Sequence, residues 1–105
     1  ARLVLRPRLP NGWPFLVARG LRFGGVPLTV ELEGYDEGQV IRLERESGHG
    51  RTWDVSLSLQ APPGRSIARV FLGELPFADL PAGGVVTLPD IPLTDTPVTL
   101  TAVYD

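Results

Sequence analysis

The chain has 105 residues, the size of one domain, and its 43% hydrophobic and 21% charged residues are typical of globular proteins. The absence of Cys excludes a disulfide framework, a zinc–thiolate site and thiol catalysis, and no apolar run is long enough for a membrane-spanning helix. A net charge of −2 and a pI near 5.3 disfavour nucleic acid as a partner.

The basic residues and prolines are unusual. All 10 basic residues are Arg, and the chain has 11 Pro and no Met. An Arg-for-Lys bias is typical of GC-rich genomes, while many prolines and few thermolabile side chains are typical of thermostable proteins. We therefore expect a GC-rich source. The prolines favour a thermostable protein, whereas the missing Lys runs against the Lys and Glu enrichment of thermophiles, so a thermophilic and a mesophilic source both stay open.

The first two predicted strands cover residues 2–6 and 15–23. In the second, Arg19 falls on the face that carries the apolar residues, which are Phe15, Val17, Leu21 and Phe23. Because Gly inside a strand often marks a bulge, we predict a bulge near Gly20.

The middle of the chain predicts three strands. Residues 28–33 and 52–60 alternate apolar and polar side chains with period 2, as half-buried strands do. Residues 39–46 are ambiguous, because 43–46 are good helix formers. The segment is short, uncapped and flanked by Gly38 and Gly48, so it is predicted as a strand.

The C-terminal part predicts strands over 66–72, 85–88 and 98–104. Residues 75–97 contain five Pro among apolar residues and must be edge, crossover or loop, because Pro cannot occupy a central strand. One interpretation is a connection across one end of the fold, with Leu80 and Ile91 filling the core. The other is an apolar, stiffened surface for a partner.

About seven or eight short strands separated by Gly- and Pro-rich turns predict a single all-β domain over residues 1–105. The expected architecture is an antiparallel β-sandwich that resembles the immunoglobulin fold, with a small barrel as the alternative. The Cys…Trp…Cys spacing of true immunoglobulin domains is missing.

No pattern predicts a catalytic centre, a metal site or a cofactor. His49, between two Gly, is expected to be a solvated turn residue, since Ser47 nearby does not define a catalytic triad. An acidic cluster could bind Ca²⁺, but it lacks the spacing of a calcium loop, and solubility explains it equally well. This cluster consists of Glu31, Glu33, Asp36 and Glu37.

Three aromatic residues are candidates for a carbohydrate platform. Trp53 is in register with the apolar face of its strand and is therefore expected in the core. Trp13 lies in a turn and is expected to cover one end of the fold, with partner contact as the second interpretation. Together with Tyr35, it could instead bind a glycan.

Charge is divided unevenly along the chain. Residues 1–30 carry five Arg and no acid, whereas residues 70–105 carry five acids and no Arg. The two ends could neutralise each other within one chain, or residues 1–10 could form an extended arm that lies along the acidic third of a neighbour. The candidate partner-contact residues are Arg2, Arg6, Arg8, Trp13, Phe77, Asp90 and Asp95.

These patterns favour a non-catalytic structural module of a larger assembly, either a homo-oligomer or a lattice. Phage virion proteins (decoration, tail or fibre components) and prokaryotic surface or pilus subunits are the expected classes, which places the protein in a virion or at the cell surface. The alternative is a sandwich that binds carbohydrate or another ligand.

Overall fold

The computed structural model describes residues 2–8, 14–23, 26–46, 52–77 and 83–105. Within these ranges no helix is long and apolar enough to cross a membrane. The regular structure that they form consists of β-strands. Their bounds are β1 Arg2–Leu5, β2 Phe15–Phe23, β3 Val26–Tyr35, β4 Gly38–Arg45, β5 Trp53–Gln60, β6 Ile67–Leu72, β7 Leu75–Pro76, β8 Val85–Leu93 and β9 Val98–Tyr104.

The strands form two sheets. One has the order β1-β5-β8, and the other has the order β2-β3-β4-β9-β6-β7. The all-β class is confirmed, and in the described part of the chain the two sheets are open, consistent with a sandwich rather than the alternative barrel. The expectation of a purely antiparallel fold is wrong at one place, because β1 pairs with β5 in parallel.

The core lies on the inward faces of the two sheets. In β5 the four alternate residues that the sequence assigned to the core are buried: Trp53, Val55, Leu57 and Leu59. The inward residues of β3 are Leu28, Val30 and Leu32, which are likewise buried. Because successive side chains of a strand point to opposite faces, period-2 alternation predicts these positions directly.

Strand β8 is longer than predicted. It runs past residue 88 through Pro89 and Pro92, and Ile91 is only 1% exposed. Prolines are tolerated here because β8 is an edge strand, so the missing N–H groups leave its pairing with β5 intact. The expectation that Ile91 fills the core is confirmed, but from a strand rather than from a connecting loop. Leu80 lies outside the described residues.

Strand β2 contains the predicted bulge, but its faces differ from the prediction. The register with β3 shifts between Ala18 and Leu21, and Gly20 has a φ of 71°. Before the bulge, Phe15 and Val17 pair with outward-facing residues of β3. After it, Leu21 pairs with a buried one. The bulge therefore moves Leu21 to the face opposite Phe15 and Val17, and the predicted common face is wrong.

The N-terminal strand belongs to the sheet of its own domain. Residues 2–5 pair with β5, and Leu3 is 7% exposed within the core. The first and last strands lie in different sheets, so β1 and β9 do not pair with each other. The intermolecular arm remains a hypothesis from the sequence alone.

Candidate functional site

The predicted basic contact residues lie along β1 and the segment that follows it. Arg2 is in register with β5, and Arg6 is exposed. Nη1 of Arg8 donates hydrogen bonds to the carbonyl oxygens of Pro7 at 2.9 Å and Ser58 at 3.2 Å. Because Ser58 belongs to β5, Arg8 attaches this segment to its own domain.

The other predicted contact residues are scattered. Phe77 is half-buried against the core, and its backbone N–H donates to the carbonyl of Val70 at 2.9 Å. Asp90 is exposed on β8 with a φ of 56°. Asp95 lies between β8 and β9 and accepts a hydrogen bond from Arg45. These residues therefore lie on three different segments: after β7, within β8 and between β8 and β9.

The aromatic and histidine candidates have different outcomes. Trp13, Ser47 and His49 lie outside the described residues. Trp53 is 7% exposed, which confirms its predicted place in the core. Tyr35 is 53% exposed at the end of β3, and its hydroxyl donates to the Glu33 carboxylate. This hydrogen bond raises the pKa of the Tyr35 hydroxyl.

The acidic cluster does not converge on one point. Oε2 of Glu31 lies 3.6 Å from Nη1 of Arg42, which also lies 2.8 Å from Oε2 of Glu44. Asp36 and Glu37 are exposed in the turn between β3 and β4. In the part of the chain that the structure describes, no three acidic or His side chains come together as metal ligands.

A buried charge that sequence reasoning missed lies at the end of β4. The Arg45 side chain is 1% exposed, its Cζ lies 5.3 Å from the centre of the Trp53 ring, and Nη2 donates to Oδ1 of Asp95 at 3.3 Å. Nε and Nη1 are buried without a hydrogen-bond partner in the described structure. Since these atoms are closed off from solvent, Arg45 serves packing rather than ligand binding. The sequence does carry a signal for this burial, because Arg45 continues the period-2 alternation of the inward residues Ile41 and Leu43.

We expect Asp95→Asn to lower the free energy of unfolding by about 1 kcal/mol, because it removes the charge opposite a buried guanidinium while Asp95 itself is partly solvated. In the Arg45→Met background, which keeps an apolar chain beside Trp53, the same change should cost less, and the difference between the two costs measures the part that acts through Arg45. Urea unfolding of the four proteins measures this cycle. Equal costs in both backgrounds would show that Asp95 acts through a different contact.

A second polar cluster lies at the other end of β4. Nε2 of the buried Gln39 donates to the carbonyl of Gln60 at 3.0 Å and to the hydroxyl of Tyr104 at 3.1 Å. Cζ of Arg65 lies 5.1 Å from the centre of the Tyr104 ring. Burial raises the pKa of Tyr104, while Gln39 and Arg65 act to lower it.

Stability is expected to fall as pH rises above 10, the usual pKa of tyrosine. With a raised pKa, folded Tyr104 keeps its proton when the unfolded chain has lost it, so its contribution is complete below that pH and is lost above it. The chain has only two Tyr and no Lys or Cys, so other side chains do not titrate there. The comparison is between the single variant Tyr35→Phe and the double variant that also carries Tyr104→Phe. Above pH 10 the free energy of unfolding, measured by denaturant melts, should fall less steeply with pH in the double variant. Identical profiles would contradict this prediction.

One sheet edge of the described structure is long and has no Pro, and it belongs to β2. Among the described strands only β3 pairs with β2. The N–H of Gly34 donates to the carbonyl of Pro14 at 2.8 Å, so the alternation of an antiparallel pair directs the backbone groups of Phe15 and Val17 away from β3. Arg19 follows at the start of the bulge and is exposed. The side chains of Phe15 and Val17 are 60% and 38% exposed. We call residues 15–19 and their free backbone groups the β2 edge.

The β2 edge continues into the outer face of the larger sheet. Directly paired residues share a face, so one row of side chains crosses all six strands. From β2 to β7 the row is Phe15, Glu33, Val40, Thr101, Phe71 and Pro76. Its apolar members give this face a surface suited to contact with another molecule.

The other three sheet edges are less suited to pairing. Strand β1 has four residues and is soon followed by Pro7, and β7 has only two. Strand β8 lacks N–H donors at Pro89 and Pro92. Strand β2 has nine residues without Pro, and the features of the strand itself that oppose pairing are the bulge at Gly20 and two Arg. The β2 edge is therefore the best candidate contact site.

Comparison of the chain with protein-family models, with curated protein sequences and with solved structures finds no match. The geometry of the described residues offers a contact surface at the β2 edge and two polar clusters that stabilise the ends of the fold.

Proposed function

We propose that this protein is a non-catalytic interaction module that joins a larger assembly through the β2 edge. The observation that carries the proposal is a long strand edge without Pro whose backbone groups are directed outward beside two exposed apolar side chains, Phe15 and Val17. Edges of this kind bind other chains by adding a strand, in which backbone hydrogen bonds supply affinity and side chains supply specificity.

The class of assembly follows by analogy. Virion components of phages, such as decoration, tail or fibre proteins, and surface or pilus subunits of prokaryotes use small cysteine-free sandwiches for contact rather than chemistry. We propose that this chain serves in such a structure, in a virion or at a cell surface. The edge of β2 that no described strand pairs, and the apolar residues on the outer face of the larger sheet, support this role.

A glycan-binding module is the second candidate function. The observation that favours it is Tyr35, which is 53% exposed beside the carboxylate of Glu33. Aromatic faces next to polar groups are common in ligand sites. Of the proposed platform, Tyr35 is the member that the structure describes.

Native mass at increasing protein concentration tests the proposed function. An assembly subunit should gain mass between micromolar and millimolar concentration, and analytical ultracentrifugation measures this. A glycan titration followed by tryptophan fluorescence is the companion experiment. A monomer at every concentration that responds to a glycan with a quenched, blue-shifted signal would overturn the assembly role in favour of the binding module.

A further inference from the structure

We propose that the β2 edge binds the β2 edge of a second copy of this chain. The two strands would run antiparallel around a twofold axis at Val17, so that the two larger sheets become one continuous sheet. This inference rests on the proposed function and names its partner. Backbone direction, charge and the condition of the other edges favour it.

The backbone of the β2 edge is complementary to itself. In an antiparallel pair centred on Val17, that residue faces its own copy, and Phe15 faces Arg19 of the second copy. The alternation with β3 directs the N–H and C=O groups of Phe15 and Val17 outward. The proposed pairing requires Arg19, the next residue of this alternation at the start of the bulge, to turn its groups to the same side, so that each facing pair exchanges hydrogen bonds. A twofold interface requires this self-complementarity.

The charges of β2 favour the antiparallel direction. Strand β2 carries Arg19 and Arg22 and no acid, while Glu33 lies beside Phe15 on β3. The proposed pairing brings Arg19 of the second copy next to Phe15 and about 10 Å, two strand spacings, from the Cα of Glu33. Their long side chains can meet across that distance, on the outer face.

Glu33 is available for such a pair. Its partner within the described residues is the neutral hydroxyl of Tyr35, and the neighbouring Glu31 already lies near Arg42. If the two β2 strands were instead parallel and aligned at Val17, Arg19 of one copy would lie beside Arg19 of the other, and the two like charges would repel each other. Two ion pairs, one on each side of the axis, would therefore fix both the direction and the register of the two strands.

The other edges do not offer this arrangement. A basic β1 could be matched with an acidic β8 of a neighbour, since they are the two edges of the smaller sheet. However, Pro89 and Pro92 remove donors from β8, and β1 is only four residues long. Pairing of two β2 edges meets neither obstacle.

Charge reversal tests the register. Arg19→Glu and Glu33→Arg should each weaken self-association by about tenfold or more, and the double variant should return to within about threefold of the wild type. Arg69→Glu is the matched control, because Arg69 is exposed on β6, away from β2, and should leave the association unchanged. Sedimentation measures the constants, and thermal melts check that each variant is folded.

Cysteine cross-linking tests whether the twofold axis passes through Val17. The chain has no Cys of its own, so an introduced Cys is the only one that can react. In a hydrogen-bonded antiparallel pair the Cα atoms lie about 5.5 Å apart, which a disulfide can span. Oxidised Val17→Cys should therefore form a covalent dimer. Val4→Cys is the control, because Val4 is 59% exposed on β1, an edge of the other sheet, and should stay monomeric.

The outcomes separate the two proposals. A wild type that gains mass but is unaffected by charge reversal, or cross-linking of Val4→Cys equal to that of Val17→Cys, would overturn the β2 pairing and leave the assembly role standing. A wild type that is monomeric at every concentration would overturn both. The pairing would be supported by three results together: weaker self-association in both single charge reversals, restored self-association in the double variant, and cross-linking at Val17→Cys but not at Val4→Cys.

Discussion

Gly38→Ala is expected to lower the free energy of unfolding by about 3 kcal/mol or more. A Cβ at Gly38 would overlap the backbone carbonyl oxygen of Ala102 and would lie 3.2 Å from its carbonyl carbon. Ala102 belongs to β9, the strand that pairs with β4. The atom in the way belongs to the backbone of a strand in the middle of the larger sheet. The overlap can therefore be removed only if β4 and β9 move apart, and close-packed interiors resist such movement.

The matched control is Gly84→Ala. A Cβ there would meet no heavy atom within 4 Å, so this substitution should change stability by no more than about 0.5 kcal/mol. Denaturant unfolding of both variants against the wild type measures the difference. A Gly38→Ala protein as stable as Gly84→Ala would show that β4 and β9 are not this close at Gly38.

Leu57→Ala is expected to cost about 2–5 kcal/mol, the range of buried Leu→Ala substitutions. Leu57 is 0% exposed and lies in the central strand of the smaller sheet, in register with Leu5 on one side and Leu88 on the other. Truncation removes apolar contacts and leaves a cavity that three strands must close. For a domain of typical stability, about 5–15 kcal/mol, this is a large loss.

Leu75→Ala provides the same chemical change at a solvated position. Leu75 is 73% exposed on β7, so its truncation should cost less than about 0.5 kcal/mol. Urea melts give both values from one set of experiments. A loss below about 1 kcal/mol for Leu57→Ala would mean that the inward face assigned to β5 is incorrect.

The strands and much of the core were predictable from the sequence. Strands β3, β5 and β9 alternate with period 2, and an alternating strand buries one face whatever its neighbours are. The ambiguous segment 39–46 formed β4 because its inward residues, among them Ile41 and Leu43, join the same core. For the same reason, Trp53 could be placed in the core by its register alone.

The candidate site was less predictable, because edges depend on strand order. Any of the predicted strands could have been an edge, and hydrophobic alternation alone does not say which strands are neighbours. The sequence signalled a bulge at Gly20. Only the register with β3 showed that the bulge sets Phe15 and Val17 beside outward-facing residues and Leu21 beside the buried Leu28, although Leu21 itself stays 38% exposed.

The sequence by itself thus determined the all-β class, the positions of most strands and the faces of the regular ones, since these depend on local alternation. The tertiary structure alone decided the parallel pairing of β1 with β5, the extension of β8 through two Pro at an edge and the burial of Arg45 beside Trp53. It also decided which of the described strands lie at the edges of the two sheets. Each of these depends on contacts between residues far apart in the chain, which no local pattern encodes.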